Sequence, residues 1–402
     1  MMQSPLARRL TLAVAILSAA LFVIIICAPT TASLLHFTPN VELTEAPPLA
    51  LPDPAASFND FSQFLKILRR NWLDQAFGLR PLFLRWEKIL DIPWLKSSTP
   101  RDPVLLGKDG WFYLAQETPD LNVIDNYRAV SLLTPAELKT WAAVFAARRD
   151  WLAQRGIRYM VVVAPDKTRV YPEFIPARFN RIREQSKLDQ MIEALAAVQV
   201  DVVDLRPAVF AAKKQGQGYY RTDSHWTPLG AFFAYVDVVN RLKKYFPGLE
   251  PMRLEDFTTA AEPGSPHAPI HGDLPRMLAL GDFYSEDAML FTPKIPFKAK
   301  AVAGEDKLDS IDSQTVFEGP DPTLPRAVIF RDSFVRALIP FLNEHFSRVV
   351  FIWPWPTSKQ SVRKFDTEAI LKEKPDIVID QFAERYFTMP PPDGALDTLP
   401  QP

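Results

Sequence analysis

A chain of 402 residues with one cysteine has no means of building a disulfide framework, and that cysteine, Cys27, lies inside an uncharged apolar run. Chemistry in the rest of the chain therefore falls to hydroxyls, carboxylates and imidazoles. Net charge is lacking as well: 46 Lys and Arg against 47 Asp and Glu leave a formal −1, with no global field to draw the protein onto nucleic acid. No internal repeat is evident. What is present, 48% hydrophobic and 23% charged residues, is the balance of an ordinary globular protein, too apolar for disorder and too mixed for a fibre.

The departure from a soluble composition is at the start, where Arg8 and Arg9 precede the uncharged stretch Leu10 to Ala28. That length suits a helix crossing the hydrocarbon core. Arginines ahead of it would keep the N-terminus cytoplasmic and send the remainder outward. A cleaved signal peptide has the same polarity, with TTAS at 30–33 as a processing point, but the apolar run is long for one. The organisation expected is a cytoplasmic stub and transmembrane signal-anchor over 1–30, a Pro-rich linker over 31–57, an amphipathic helical segment over 58–100, a catalytic domain over 101–390 and a disordered tail over 391–402.

Beyond residue 100 the pattern alternates. GWFYL (110–114), IRYMVVVAP (157–165), VDVVDL (200–205), RAVIF (326–330), RVVFIW (348–353) and PDIVID (375–380) read as strands. Helices are expected over 134–156, near 184–198, after Thr227-Pro228, over 334–346 and before residue 375. Apolar strands interleaved with helices predict an α/β fold, a mainly parallel sheet flanked by helices. Residues 250–325, rich in proline and acidic side chains, are expected to be an irregular insertion near the site.

In an open parallel sheet the site forms beyond the carboxyl ends of the strands. Two junctions there carry chemistry. In RDSF, Ser333 falls between the strand AVIF and an apolar segment, where its hydroxyl would be presented at the sheet rim beside helix N–H groups able to hold an oxyanion. A serine at that place also suits a helix N-cap. In TDSHWTP, Thr227 and Pro228 look like N-cap and first helical residue, so Asp223 and His225 lie on the segment leading in. Two apart on extended backbone, they point to one side. A serine hydroxyl needs a base, and the base needs an acceptor to fix its tautomer, roles His225 and Asp223 can fill. A structural Asp–His pair in a helix-entry loop is the plainer reading. His267 and His271 are four apart, but Pro266 and Pro269 argue against a helix, so no metal site and no cofactor are expected, and His271 is only a rival base.

The ordered set LDQAFGLRPLFLRW (73–86), LLGKDGWFYL (105–114), APDKTRVYPE (164–173), TDSHWTPLGA (222–231), GDLPRML (272–278) and RDSF (331–334) resembles the alginate O-acetyltransferase family, AlgX- and AlgJ-like proteins with an SGNH-hydrolase-like catalytic domain. The resemblance implies Ser333, His225 and Asp223 as a triad that takes up acetyl as an acyl-enzyme and passes it to a hydroxyl of an exported polysaccharide. It also implies a membrane-bound O-acyltransferase as the acetyl-delivery partner, exopolysaccharide synthesis machinery around it, and an inner-membrane protein with its domain in the periplasm. Arg331 stands where the family's turn usually has glycine, which puts the geometry of that turn in question. The chain ends soon after PDIVIDQFAERYF, as in members without a C-terminal carbohydrate-binding module. Trp111, Tyr113, Tyr171, Trp226, Trp353 and Trp355 are candidates to stack on sugar rings, although large aromatics are more often core. Lys167 and Arg331 could meet an acidic polymer. Two rival functions share these residues: an acetylesterase that releases acetate to water, and a catalytically inactive polysaccharide-binding scaffold.

Overall fold

The computed structural model describes residues 5–35, 82, 85–86, 103–118, 121–262, 272–278, 280–302, 314–355 and 363–389. Residues 1–99 with 275–284 form one compact unit, and 100–274 with 285–402 another. Residues 36–57 of the linker expected over 31–57, almost all of the segment 58–100 and the tail expected over 391–402 lie outside the described residues. In the first unit the apolar run forms a single helix, α1 (Pro5–Leu34), which continues through TTAS. Its side chains are exposed from residue 13 to residue 27. Among the described residues no helix is long and apolar enough to cross a membrane.

The second unit is built on a seven-stranded sheet. In chain order the strands are β1 (Val104–Leu106), β2 (Phe112–Leu114), β3 (Gln116–Thr118), β4 (Leu121–Asn122), β5 (Arg158–Ala164), β6 (Val202–Asp204), β7 (Phe257–Glu262), β8 (Ala288–Pro293), β9 (Lys300–Ala301), β10 (Gln314–Glu318), β11 (Arg326–Phe330), β12 (Arg348–Ile352) and β13 (Ile377–Ala383). The sheet runs β6-β5-β13-β11-β12-β10-β9. Its first five strands are mutually parallel, and β10 and β9 close the edge antiparallel. Every residue of β13 is buried and β5 is buried after Arg158, as continuous Val/Ile runs covered on both faces require.

The helices follow from their ends. α3 (Pro135–Ala153), which follows α2 (Val123–Arg128), is capped by Thr134, whose hydroxyl accepts from the Glu137 N–H while the Glu137 carboxylate accepts from the Thr134 N–H. After the short α4 (Lys167–Val170), α5 (Lys187–Ala197) repeats the device with Ser186 and Asp189. α6 (Arg206–Gln215) and α7 (Pro228–Leu242) follow, the latter capped by Thr227 with Pro228 at its first position, as the sequence predicts.

Two expectations differ. Residues 250–325 are not all irregular: β7 and β8 form an antiparallel pair whose Phe257 and Phe291 pack on Phe232 of α7 and on Phe341, while β10 pairs with β12. Nor is 334–346 one helix. It is a 3-10 turn (Ser333–Ala337), a short α-helix (Ile339–Leu342) and a second 3-10 turn (Asn343–His345). Pro340 has no N–H to donate back to Arg336, so the ladder breaks into i→i+3 bonds such as Leu338 N–H to the Val335 carbonyl, 2.7 Å.

Candidate active site

Three strand ends meet at the carboxyl rim of the sheet. β5 leads into Pro165-Asp166-Lys167, β11 into Arg331-Asp332-Ser333, and β13, lying between them, into Glu384-Arg385. The side chain that caps the turn after β11 is Asp332 rather than Ser333. Its carboxylate accepts from the Phe334 N–H at 2.9 Å and from the Ala383 N–H of β13 at 2.5 Å, while its own N–H donates to Gln381 Oε1 at 2.9 Å. This cap leaves the Ser333 hydroxyl for other work, and it also occupies the Phe334 N–H.

Ser333 Oγ lies 2.8 Å from His225 Nε2, and His225 Nδ1 lies 2.7 Å from Asp223 Oδ1, a continuous hydrogen-bonded line from hydroxyl to carboxylate. The two ends come from segments 108 residues apart. Asp223 and His225 share a side for a reason other than extension. The backbone bends through residues 221–225, and Asp223 Oδ1 accepts from the His225 N–H as well, at 2.9 Å. Water loss opposes charge on the imidazole, yet the hydrogen bond and charge of Asp223 outweigh it and raise the His225 pKa above its ordinary value. Water loss likewise opposes ionisation of Asp223, but hydrogen bonding from His225 holds its pKa far below the usual carboxylate range.

The loop 217–227 is gripped from two sides. Buried Lys167 directs Nζ at the carbonyls of Tyr220, Arg221 and Asp223, at 3.1, 3.1 and 2.7 Å. Burial lowers its pKa to about 8. Buried Glu286 accepts from the N–H groups of Arg221 and Thr222 at 2.9 and 2.6 Å, and from the Thr222 hydroxyl at 2.5 Å. Behind Ser333, Arg385 pairs with Asp166 at 2.7 Å and Glu117 at 3.0 Å, and its guanidinium lies 5.3 Å from the Phe334 ring. That ring in turn packs 5.1 Å from His225. Burial lifts the Asp166 carboxyl to about 7.

Most of the residues expected to touch a sugar are buried. Trp111 is 5% exposed, Tyr171 5%, Trp226 2%, Lys167 4% and Arg331 3%. Trp111 stacks on both Tyr171 and Phe174, the Tyr171 hydroxyl accepts from the Gly218 N–H at 2.8 Å, and Trp226 meets Phe334 edge-on. Arg331 lies 5.4 Å from the Trp353 ring. Tyr113 and Trp355 are buried as well, whereas Trp353 keeps partial exposure. The buried ones pack against the loops around the serine and histidine. His267 and His271 lie outside the described residues.

Sequence reasoning gave Asp273 no role. Its carboxylate accepts from the Ser224 N–H at 2.8 Å and the Ser224 hydroxyl at 2.5 Å, and its N–H donates to Asp223 Oδ2 at 3.2 Å. The fragment GDLPRML contained it, but nothing in one sequence ties residue 273 to residue 223. Asp223, His225 and Asp273 bring one donor atom each within 4.8 Å, a grouping that could hold a metal ion. In this arrangement those atoms are spent on one another and on N–H and O–H donors. A cavity of about 540 Å³ lined by Arg149, Arg158, Lys244 and Tyr245 opens at the start of β5, the rim opposite Ser333.

A parallel sheet of this order, with a serine at the end of one central strand and an Asp-x-His loop facing it, defines an SGNH-hydrolase-like protein. The chain belongs to the family described as the SGNH hydrolase-like domain of acetyltransferase AlgX, whose model matches residues 104–384. A probable alginate O-acetylase AlgJ of Pseudomonas syringae is 26% identical over 345 residues, 82% of this chain and 83% of that one. Its counterpart from Pseudomonas fluorescens is 31% identical over 255 residues, 60% of this chain and 58% of the relative. Among solved structures, Bacillus cereus PatB1 with a sulfonyl adduct is similar with a TM-score of 0.51 at 14% identity, covering 71% of this chain and 97% of that one, a likeness of fold.

Proposed function

We propose that this protein is an O-acetyltransferase that moves acetyl groups onto hydroxyls of an exported, alginate-like polysaccharide, with Ser333 as nucleophile, His225 as base and Asp223 as its orienting carboxylate. The observation that carries the reading is the unbroken line Ser333 Oγ to His225 to Asp223, at 2.8 and 2.7 Å. Family membership supports the acetyl chemistry, and the alginate O-acetylases it resembles support the acceptor. His225 takes the proton as Ser333 Oγ attacks the donor's acetyl carbon, and returns it to the leaving group as the donor's acyl bond breaks. The acyl-enzyme is then attacked by a sugar hydroxyl, whose proton goes to the same imidazole and on to Ser333 as the ester bond to it breaks. The Ser333 N–H is the proposed donor to the oxyanion in both steps.

The donor is proposed to reach the site from a membrane-bound O-acyltransferase partner within the exopolysaccharide machinery. α1 is proposed as the inner-membrane anchor that keeps the domain in the periplasm, supported by the exposed, mostly apolar side chains of residues 13–27 and by Arg8 and Arg9 ahead of them. Incubation with an activated acetyl ester and oligosaccharide acceptors should yield acetylated sugar, and a sulfonyl probe should label Ser333 as read by peptide mass spectrometry. Ser333→Ala should remove both, with turnover falling by roughly 10³ or more. Release of acetate alone in the presence of good acceptors would make the protein an esterase, and an unlabelled Ser333 would favour the scaffold.

A further inference from the structure

We infer that Asp273 is a positioning residue for the base, a second carboxylate on the Nδ1 side of His225 that fixes the Ser224–His225 peptide and favours the charged imidazole. The inference rests on the reading of His225 as base. Three observations carry it. First, Asp273 grips Ser224 twice, at its N–H (2.8 Å) and its hydroxyl (2.5 Å), and Ser224 Oγ is itself 3.3 Å from His225 Nδ1. Second, Asp273 Oδ2 lies 3.8 Å from Nδ1, so the imidazole meets two carboxylates on the side away from Ser333. Third, the approach is built in. At Gly272 any Cβ would collide with the Thr222 carbonyl, and buried Leu274 donates its N–H to that same carbonyl at 3.3 Å.

The charges facing this centre come from every neighbouring segment. Asp223 and Asp273 raise the proton affinity of His225, and Arg385, after β13, lowers it. Lys167, after β5, lies under the loop with Asp273, Asp223 and Glu286 all acting on it. Burial first, and then the charge of Asp223, raise the Asp273 pKa in turn. A second anion near a histidine stabilises the imidazolium formed when Ser333 gives up its proton, and the same anion moves the histidine's titration to higher pH.

The test is the pH dependence of Ser333 labelling by a sulfonyl probe in the full chain. Asp273→Asn keeps the oxygen that accepts from the Ser224 N–H but removes the charge. The acid limb should move down by about 0.5 to 1 pH unit and the plateau rate should fall several-fold, while Asp273→Glu restores the limb toward its original pH. An acid limb that stays in place in Asp273→Asn overturns the inference, whatever happens to the plateau. If that variant fails to fold, Asp273→Ser carries the same expectation and the same refutation. His225→Ala separates the two readings: if it labels like the parent, the base assignment itself fails, whereas a lost label with an unmoved limb in the Asp273 variants removes only the role of Asp273.

Discussion

Each group in the line from Ser333 to Asp223 is set by a neighbour that sequence spacing does not reveal. As the proposed base His225 must be neutral to accept a proton, and its pKa is raised, so kcat/KM should climb with pH through an acid limb above the ordinary histidine value of ~6.5. The stability of the pair runs the other way. The contribution of His225 is complete below ~6.5 and is lost as pH rises through the raised value. That of Asp223, with its pKa depressed, is present above ~3.9 and lost as pH falls toward its folded-state value. An NMR titration of the His225 ring alongside the pH–rate profile checks both, and a limb below 6.5 would contradict the first. The three residues of the line were legible because Ser, Asp-x-His and their strand-end setting are local patterns. Asp332 as the cap, Lys167 and Glu286 as the loop's grips, and Asp273 were not, since each acts across a fold that the sequence lays out only after the sheet order is known.

Among the elements, β13 is the most instructive. It is buried throughout and also carries a charge: Asp380 accepts from Arg148 at 2.8 Å and Tyr159 at 2.9 Å, and pairs with Arg363. Asp380→Asn would leave two guanidinium groups without their carboxylate in the interior, and the denaturation midpoint should fall by the equivalent of about 3 to 5 kcal/mol. A loss below about 1 kcal/mol would mean that Arg148 and Arg363 find other acceptors. The strands β5, β11, β12 and β13 were readable from Val- and Ile-rich runs. β7, β8 and β10 were not, because QTVFE and FTTAAE are short, partly polar and set among prolines and acids. The helix expected over 334–346 was misread for a local reason, the missing donor at Pro340.

At the scale of the whole chain, the two compact units pose separate questions. If α1 anchors the protein, a chain beginning at residue 38 should move from the membrane fraction to the soluble fraction while its Ser333 still reacts with a sulfonyl probe. A shortened chain that remains with membranes would point to another attachment. The order of strands adds a consequence in time. β13 is the last described strand to be synthesised, yet it sits between β5 and β11 in the middle of the sheet and takes the Asp332 carboxylate on its Ala383 N–H. Until it slots in, the halves bearing Ser333 and its cap on one side and Lys167 on the other have a gap between them. A polypeptide whose β13 has not yet joined the sheet lacks the strand between β5 and β11, so the reactivity of Ser333 is expected to appear only once that strand is in place.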